Sequence, residues 1–217
     1  CALGETAGGK TCALFDVARG AWTTPDPAAS LHDRARAYVG HLRRDGMATG
    51  GVGNAVYADP PTNSQISVVD DIGDSALWTG SYLASEALRL RATGAADARA
   101  QVRALVTKLH EWFGVTGSPG VLARFAIESN KKPSFSIGDL QCGTERVHCG
   151  VSWAGKTYDY IGHVSRDQYQ GVVLGYELAY EALNEADEDL REIIRGDMLT
   201  LVEELMKERQ VQLRLKV

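Results

Sequence analysis

The sequence predicts a mainly α fold of antiparallel helical hairpins, with long loops and minor β gathered on one rim. Three observations carry this. Apolar residues recur at helical spacing over 31–44, 74–92, 95–113, 166–184 and 187–207. The second and third of these segments are separated only by Gly94, and the last two only by a short polar turn, so each pair must double back as a hairpin. The segments between the pairs, 46–69 and 114–165, are rich in Gly, Pro, Ser and Asn and read as loops.

The elements follow in order. Residues 1–30 combine Gly, Ala, Thr and Pro and are expected to form a mostly irregular arm, with one short helical turn near Leu14 to Ala18; residues 31–217 are expected to form one helical domain. Ser30 precedes Asp33 by three residues and is a candidate N-cap for the first helix. On that helix Leu31, Ala35, Tyr38, Val39 and Leu42 share the apolar face, Arg34, Arg36, Arg43 and Arg44 are assigned to solvent, and Gly46 is the stop. Ile66 to Val69 reads as a short strand. The second helix starts at Asp74 or Ser75 and the third near Ala95, its buried stripe running Val102, Leu105, Val106, Leu109, Phe113. Short strands are expected at Val121 to Ile127 and Gly150 to Trp153. The alternating tail Val211–Val217 reads as an edge strand able to pair with another chain.

The chain has 217 residues and a formal net charge of −5, with no long basic run. That balance argues against nucleic acid or an anionic membrane surface as the main partner. No apolar run approaches the roughly 20 residues that span a bilayer. Cys142 and Cys149 flank a short polar loop and are expected to pair as a disulfide, which favours export to an oxidising compartment. A zinc site built on Cys142, His148 and Cys149 lacks the usual CxxC spacing and a fourth ligand. Cys1 at the first position also suits a lipid-anchored protein of the periplasm or cell surface.

Gly4-Glu5-Thr6-Ala7-Gly8-Gly9-Lys10-Thr11 matches the phosphate-cradling G-x-x-x-x-G-K-[ST] pattern. Its context is wrong: three residues precede it, and no parallel βαβ array follows. A flexible Gly-rich arm is the better reading.

Three segments carry candidate chemistry. Asp70-Asp71-Ile72-Gly73-Asp74 places three carboxylates at the mouth of the second helix, with Trp78 one turn inside. Capping and dipole complementarity explain one such carboxylate and leave two unexplained. Gly117 to Arg124 is a turn that delivers Arg124 after a short extended run. His163-Val164-Ser165-Arg166-Asp167-Gln168-Tyr169 loads another helix start with polar and planar groups. Each also has a plain reading, as a turn or a cap.

The ordered set Asp-Asp-x-x-x-Ala-Leu-Trp-Thr-Gly-x-Tyr-Leu-Ala-x-Glu-Ala (Asp70 to Ala87), Gly-x-Pro-Gly-x-Leu-Ala-Arg (Gly117 to Arg124) and Ser-Arg-Asp-Gln-Tyr-x-Gly (Ser165 to Gly171) resembles bacterial proteins of the six-hairpin glycosidase-like, α/α-toroid superfamily. The resemblance covers roughly residues 30–205. It implies a ring of hairpins with a sugar-binding funnel at one end, and a glycoside hydrolase or polysaccharide lyase. Under that resemblance Asp70, Asp71, Asp74 and Asp167 are the catalytic candidates, since hydrolysis needs a proton donor and a base or nucleophile across one bond. Trp78, Trp153 and Tyr169 would stack on sugar rings, and Arg124, His163, Arg166 and Gln168 would bind polar substituents. A full toroid needs roughly 300 residues. The chain therefore implies a partial ring, closed by a second copy or a partner chain, and a non-catalytic binding or surface-assembly protein is the alternative. An uncovered patch at Leu199, Val202, Leu205 and Met206 would favour that alternative. Clustered aspartates could hold calcium, but no Asp-x-Asp-x-Asp-Gly loop is present and no metal or other cofactor is expected.

Overall fold

The computed structural model describes the backbone of residues 2–6, 9–16, 21–23, 30–59 and 65–214, and side chains from residue 30 to 207 within those spans except His32. Among the described residues there are five α-helices and three three-stranded sheets. The partial toroid is not what the chain forms. Two helical hairpins are present and the described residues are mainly helical, but no ring of hairpins forms, and the segments between them carry more paired strand than the short strands expected. The physical reason lies in the buried polar backbone: segments that pack against a core must pair their N–H and C=O groups, and here they pair with one another.

Strands β1 (Ala2–Thr6), β2 (Gly9–Asp16) and β3 (Ala21–Thr23) form an antiparallel meander. The arm expected to be irregular is thus extended, and Leu14 to Asp16 lie in a strand rather than a helical turn. The phosphate-loop pattern runs along two antiparallel strands, with Thr6 opposite Gly9, and opens no helix.

Helix α1 (Leu31–His41) starts where Ser30 predicts, its hydroxyl accepting the Asp33 amide at 3.2 Å. The expected apolar face is only partly used. Leu31, Ala35 and Tyr38 are exposed, while Val39 and Leu42 are partly buried. A π-helical turn over Leu42–Gly46 ends the helix. Arg43 is not a solvated side chain. It donates to Tyr82 Oη at 2.8 Å and to Glu86 at 3.0 Å, and Arg89 holds the other Glu86 oxygen at 2.7 Å. Glu86 is 1% exposed, a buried carboxylate whose charge two guanidiniums neutralise.

Strand β4 (Asn54–Tyr57) pairs antiparallel with β5 (Ile66–Asp70), which extends the expected strand by one residue. Helix α2 (Ser75–Thr93) ends at Gly94, whose φ of 65° is the left-handed closure that glycine supplies without a Cβ clash. Helix α3 (Ala96–Gly114) returns against it and buries Val102, Leu105, Val106, Leu109 and Phe113, the stripe read from the sequence. Next come β6 (Phe125–Glu128), the short β7 (Ser136–Ile137), β8 (Val147–Trp153) and β9 (Lys156–Ile161). β7 joins β5 in parallel, and β9 lies between β6 and β8 in an antiparallel sheet. β8 and β9 are joined by Ala154-Gly155, both at positive φ (47° and 75°), the conformation that matches hairpin twist. All four residues of β6 are buried, which hides the alternation that marks a half-exposed strand.

Helix α4 (Arg166–Ala182) and helix α5 (Glu188–Arg214) form the second hairpin. α5 continues through Val211–Arg214, so that part of the tail is helix and not an edge strand; residues 215–217 lie outside the described residues. α4 lies directly on α2. A Cβ on Gly80 would run into the Gly171 backbone, one on Gly171 into Leu77, and one on Gly175 into the Gly80 carbonyl. Glycine is required because the two helix backbones touch. Opposite this crossing, α3 and α5 are tied by Arg99 and Arg103 to Asp187, and by Arg103 to Asp189. One contiguous core runs through both hairpins and the β6–β9–β8 sheet, with Trp112, Tyr158, Tyr176 and Phe125 at its centre. No described helix is long and apolar enough to cross a membrane.

Candidate functional site

The starts of α2 and α4 meet on one rim, as the packing of their first turns requires. Arg124 ties this rim together from the turn before β6. Its guanidinium donates to the His163 carbonyl at 2.8 Å, the Gly73 carbonyl at 2.8 Å and Ser165 Oγ at 3.0 Å. Asp74 Oδ1 lies 3.6 Å from Arg124 Nη1. The Arg124 backbone takes part too, its carbonyl accepting the Ala76 amide at 2.9 Å and its amide donating to Ile161 at 2.8 Å.

Gln168 completes the knot. It is fully buried; its Nε2 donates to Asp74 at 2.9 Å and its Oε1 accepts the Leu77 amide at 3.2 Å. Asp74 occupies the N-cap position of α2 yet makes no side-chain cap bond. The first turn of α2 is capped from outside the helix, by the Gln168 carboxamide and the Arg124 carbonyl. Tyr169 is also committed: its hydroxyl accepts the Leu122 amide at 3.2 Å and donates to the Gly120 carbonyl at 3.1 Å, with its ring against Phe113.

These bonds engage several residues of the expected site. Asp74, Arg124, Gln168 and Tyr169 are brought together, but as the frame of the rim. Trp153 lies elsewhere, against Gly114, His110 and Tyr158. Asp70, Asp71, Trp78, His163 and Arg166 have exposed side chains. Asp70 Oδ1 sits against Gly138, leaving no room for a Cβ there. Asp71 and His163 both adopt left-handed backbone conformations, at φ 57° and 55°. A non-glycine residue pays for that conformation in strain, and two such residues flank the starts of α2 and α4. Asp167 is held below the usual carboxylate range, first by its hydrogen bond with Ser165 and then by backbone amides and the Arg124 charge. That direction favours the ionised form, which accepts hydrogen bonds.

Cys142 and Cys149 form the expected disulfide, with Cα atoms 5.9 Å apart. Such a bond suits an oxidising compartment. Asp159 lies beside it, but its carboxylate already holds Ser129 Oγ at 3.0 Å, the Gly150 amide at 2.8 Å and the Lys132 ammonium.

A second constellation was not legible in the sequence. Asp197 of α5, 9% exposed, accepts from Tyr176 Oη at 2.9 Å and from His110 Nδ1 at 2.9 Å. Its members come from three helices and are 21 to 87 residues apart, so spacing along the chain carries no trace of them. The only local signal is a histidine and an aspartate placed beside apolar helix faces.

What these elements define is a mainly α chain with small sheets and a hydrogen-bonded polar rim at two adjoining helix starts. Comparison with protein-family models, with curated proteins and with solved structures finds no match.

Proposed function

We propose that the chain is a glycan-binding protein that uses the rim beside Trp78, and that its role there is recognition and not bond cleavage. Trp78 carries this reading. It is 51% exposed, one turn inside α2, next to the Leu77 amide that Gln168 holds. An exposed indole beside fixed polar groups is the arrangement that stacks on the apolar face of a sugar ring. Trp112, by contrast, is fully buried and donates to the Ala126 carbonyl.

The carboxylates favour recognition over hydrolysis. Glycoside hydrolysis requires one carboxyl to hold its proton while another acts across the bond. Asp74 is engaged by Gln168 and Arg124, and Asp167 is kept ionised. The resemblance of the three rim motifs to six-hairpin glycosidase-like proteins supports a sugar as the ligand. The test is a glycan array with wild-type protein and Trp78→Ala. Loss of array binding in the variant supports the reading; turnover of any bound glycan that Asp71→Asn abolishes would replace it with an enzyme.

A second reading, assembly with another copy of the chain, rests on the α4–α5 face. Leu199, Val202, Leu205 and Met206 are 51–59% exposed in a row along α5. Beside them a groove of about 510 Å³ runs between the two helices over Tyr176, Ile194 and Met198. Leu199 and Val202 also line the groove, so the row and the groove form one continuous apolar face that a two-fold pairing would cover. Sedimentation as a monomer at all concentrations would rule this out.

A further inference from the structure

Away from the rim, a cavity of about 650 Å³ opens between α1 and the turn that joins α2 to α3. Small residues make the room: Ala35 and Gly40 on α1, Ala92 near the end of α2, and Ala95 in the turn, with Val39 as an apolar wall. Three guanidiniums line it, those of Arg36, Arg43 and Arg89, against the carboxylate of Asp97.

The charges do not cancel. Glu86 lies buried behind Arg43 and Arg89, its Oε1 accepting from Arg43 Nη2 at 3.0 Å and from Tyr82 Oη at 2.8 Å, its Oε2 from Arg89 at 2.9 and 2.7 Å. Asp97 bridges the same two arginines from the solvent side, at 3.3 Å from Arg43 Nη1 and at 3.1 and 2.7 Å from Arg89. Two carboxylates thus face three guanidiniums. Arg36 makes no hydrogen bond or ion pair among the described residues, so one positive charge is left in surplus. Donors are left as well. Arg43 spends its Nε on Tyr82 and one N–H of each terminal nitrogen on Asp97 and Glu86, so each terminal nitrogen keeps another.

Asp97 marks where an oxyanion sits. Its side chain is 59% exposed, and exposed ion pairs of this kind contribute little net stability, so a stronger anion can take the place. With Asp97 displaced, three guanidiniums face Glu86 alone and the surplus is two charges. A monoanionic carboxylate would exchange for Asp97 like for like. A phosphate monoester, with about −1.5 to −2 charge at neutral pH, matches the surplus, and its oxygens suit the planar guanidinium forks. We propose that this cavity binds an organic phosphate monoester, its phosphate between Arg36 and the Arg43–Arg89 pair in the place of Asp97, and its organic body against Ala35, Val39 and Ala92. The volume suits a small organic ligand.

The probe is phenyl phosphate, titrated by calorimetry and followed by NMR on the Nε–H signals of Arg43 and Arg89, which Tyr82 and Glu86 hold in hydrogen bonds. Benzoate keeps the ring with a single charge, inorganic phosphate keeps the charge without the ring, and phenol has neither. Phenyl phosphate is expected to bind saturably and to shift both signals. Benzoate and inorganic phosphate should bind more weakly and phenol not at all. Arg36→Gln leaves every bond around Glu86 in place and should weaken phenyl phosphate roughly tenfold. Asp97→Asn removes the competing carboxylate and should strengthen binding several-fold, the opposite of what loosening the fold would do. Equal binding of benzoate, of inorganic phosphate or of phenol, unchanged affinity in Arg36→Gln, or no shift of either signal overturns the proposal. If Asp97→Asn does not fold, Arg36→Gln and the wild-type titrations decide it.

Discussion

Gln168 caps a helix to which it does not belong: its side-chain oxygen, on α4, accepts the Leu77 amide in the first turn of α2 at 3.2 Å. The same carboxamide donates to Asp74, the residue that stands at the α2 N-cap and leaves the capping undone. Two helix starts are thereby locked to each other through one buried side chain. Replacing it with leucine keeps the volume and strands a buried N–H and a carboxylate oxygen. Gln168→Leu should cost about 2–4 kcal/mol, from two lost hydrogen bonds and the desolvation of what remains. A urea titration checks this; an unchanged midpoint would mean water replaces both bonds.

Arg124 should be irreplaceable by lysine. Its three acceptors, His163 O, Gly73 O and Ser165 Oγ, sit around a planar fork that one ammonium cannot span. Arg124→Lys should lose about 1–3 kcal/mol in chemical denaturation. It should also speed amide exchange at Ala76 and Leu77, because the rim loses its frame. A role in ligand contact alone would leave exchange unchanged.

The α2–α4 crossing makes a sharper demand. Gly80, Gly171 and Gly175 meet backbone to backbone, so any Cβ must push the helices apart. In an exposed helix Gly→Ala is a gain of up to about 1 kcal/mol. Here Gly171→Ala should reverse that sign and lower Tm by several degrees, as overpacking at about 1–3 kcal/mol requires. Gly196→Ala is the control: nothing lies within 4 Å of its added Cβ, and Tm should hold or rise.

These contacts explain what the sequence disclosed and what it hid. The helices were legible because burial of one face imposes a period, and the α3 stripe from Val102 to Phe113 is buried as its spacing requires. The Ser30 cap and the Gly94 stop were legible because each rests on local chemistry. β6 was read as part of a strand from Val121 to Ile127, but its uniform burial erased the alternation that would have fixed its ends. β1 to β3 were missed because Gly, Ala and Thr give weak patterns, although backbone pairing suffices to extend them. The tail reversed the reading: an alternating segment continues a long helix at least to Arg214. At the rim the residues that stood out in the sequence are also structural. Arg124, Gln168 and Asp74 are polar and clustered because they hold two helix starts together. Partners 51 and 94 residues apart leave no mark of that in the sequence.

The disulfide closes a small loop, Cys142 and Cys149 being seven residues apart. Chain-entropy arguments assign such a loop about 2.5 kcal/mol. Reduction with a thiol, or Cys142→Ser with Cys149→Ser, should lower the urea midpoint by that order without changing helix content in far-UV circular dichroism. The loop leads into β8 and borders the rim, Arg146 lying against Gly73 and its carbonyl accepting the Gly162 amide at 2.7 Å, so reduction should also weaken binding to a glycan array. Array binding that survives reduction unchanged would mean that the ligand does not use this edge of the rim.

The His110–Asp197 pair predicts how stability varies with pH. Asp197 raises the proton affinity of His110 in the folded chain above its unfolded value of 6.5. The folded state therefore binds this proton more tightly than the unfolded state. Its contribution is complete below the unfolded pKa and is lost as pH rises through the folded one. His41 works against it: burial lowers its pKa, so its contribution is present at higher pH and is lost as pH falls. The wild-type curve sums both, and only a difference curve isolates one. Stability of wild type minus His110→Gln, measured by urea titration between pH 5 and 9, should decline as pH rises above neutrality and be flat below about pH 6. A difference curve that rises with pH would mean that desolvation of the half-buried ring outweighs Asp197.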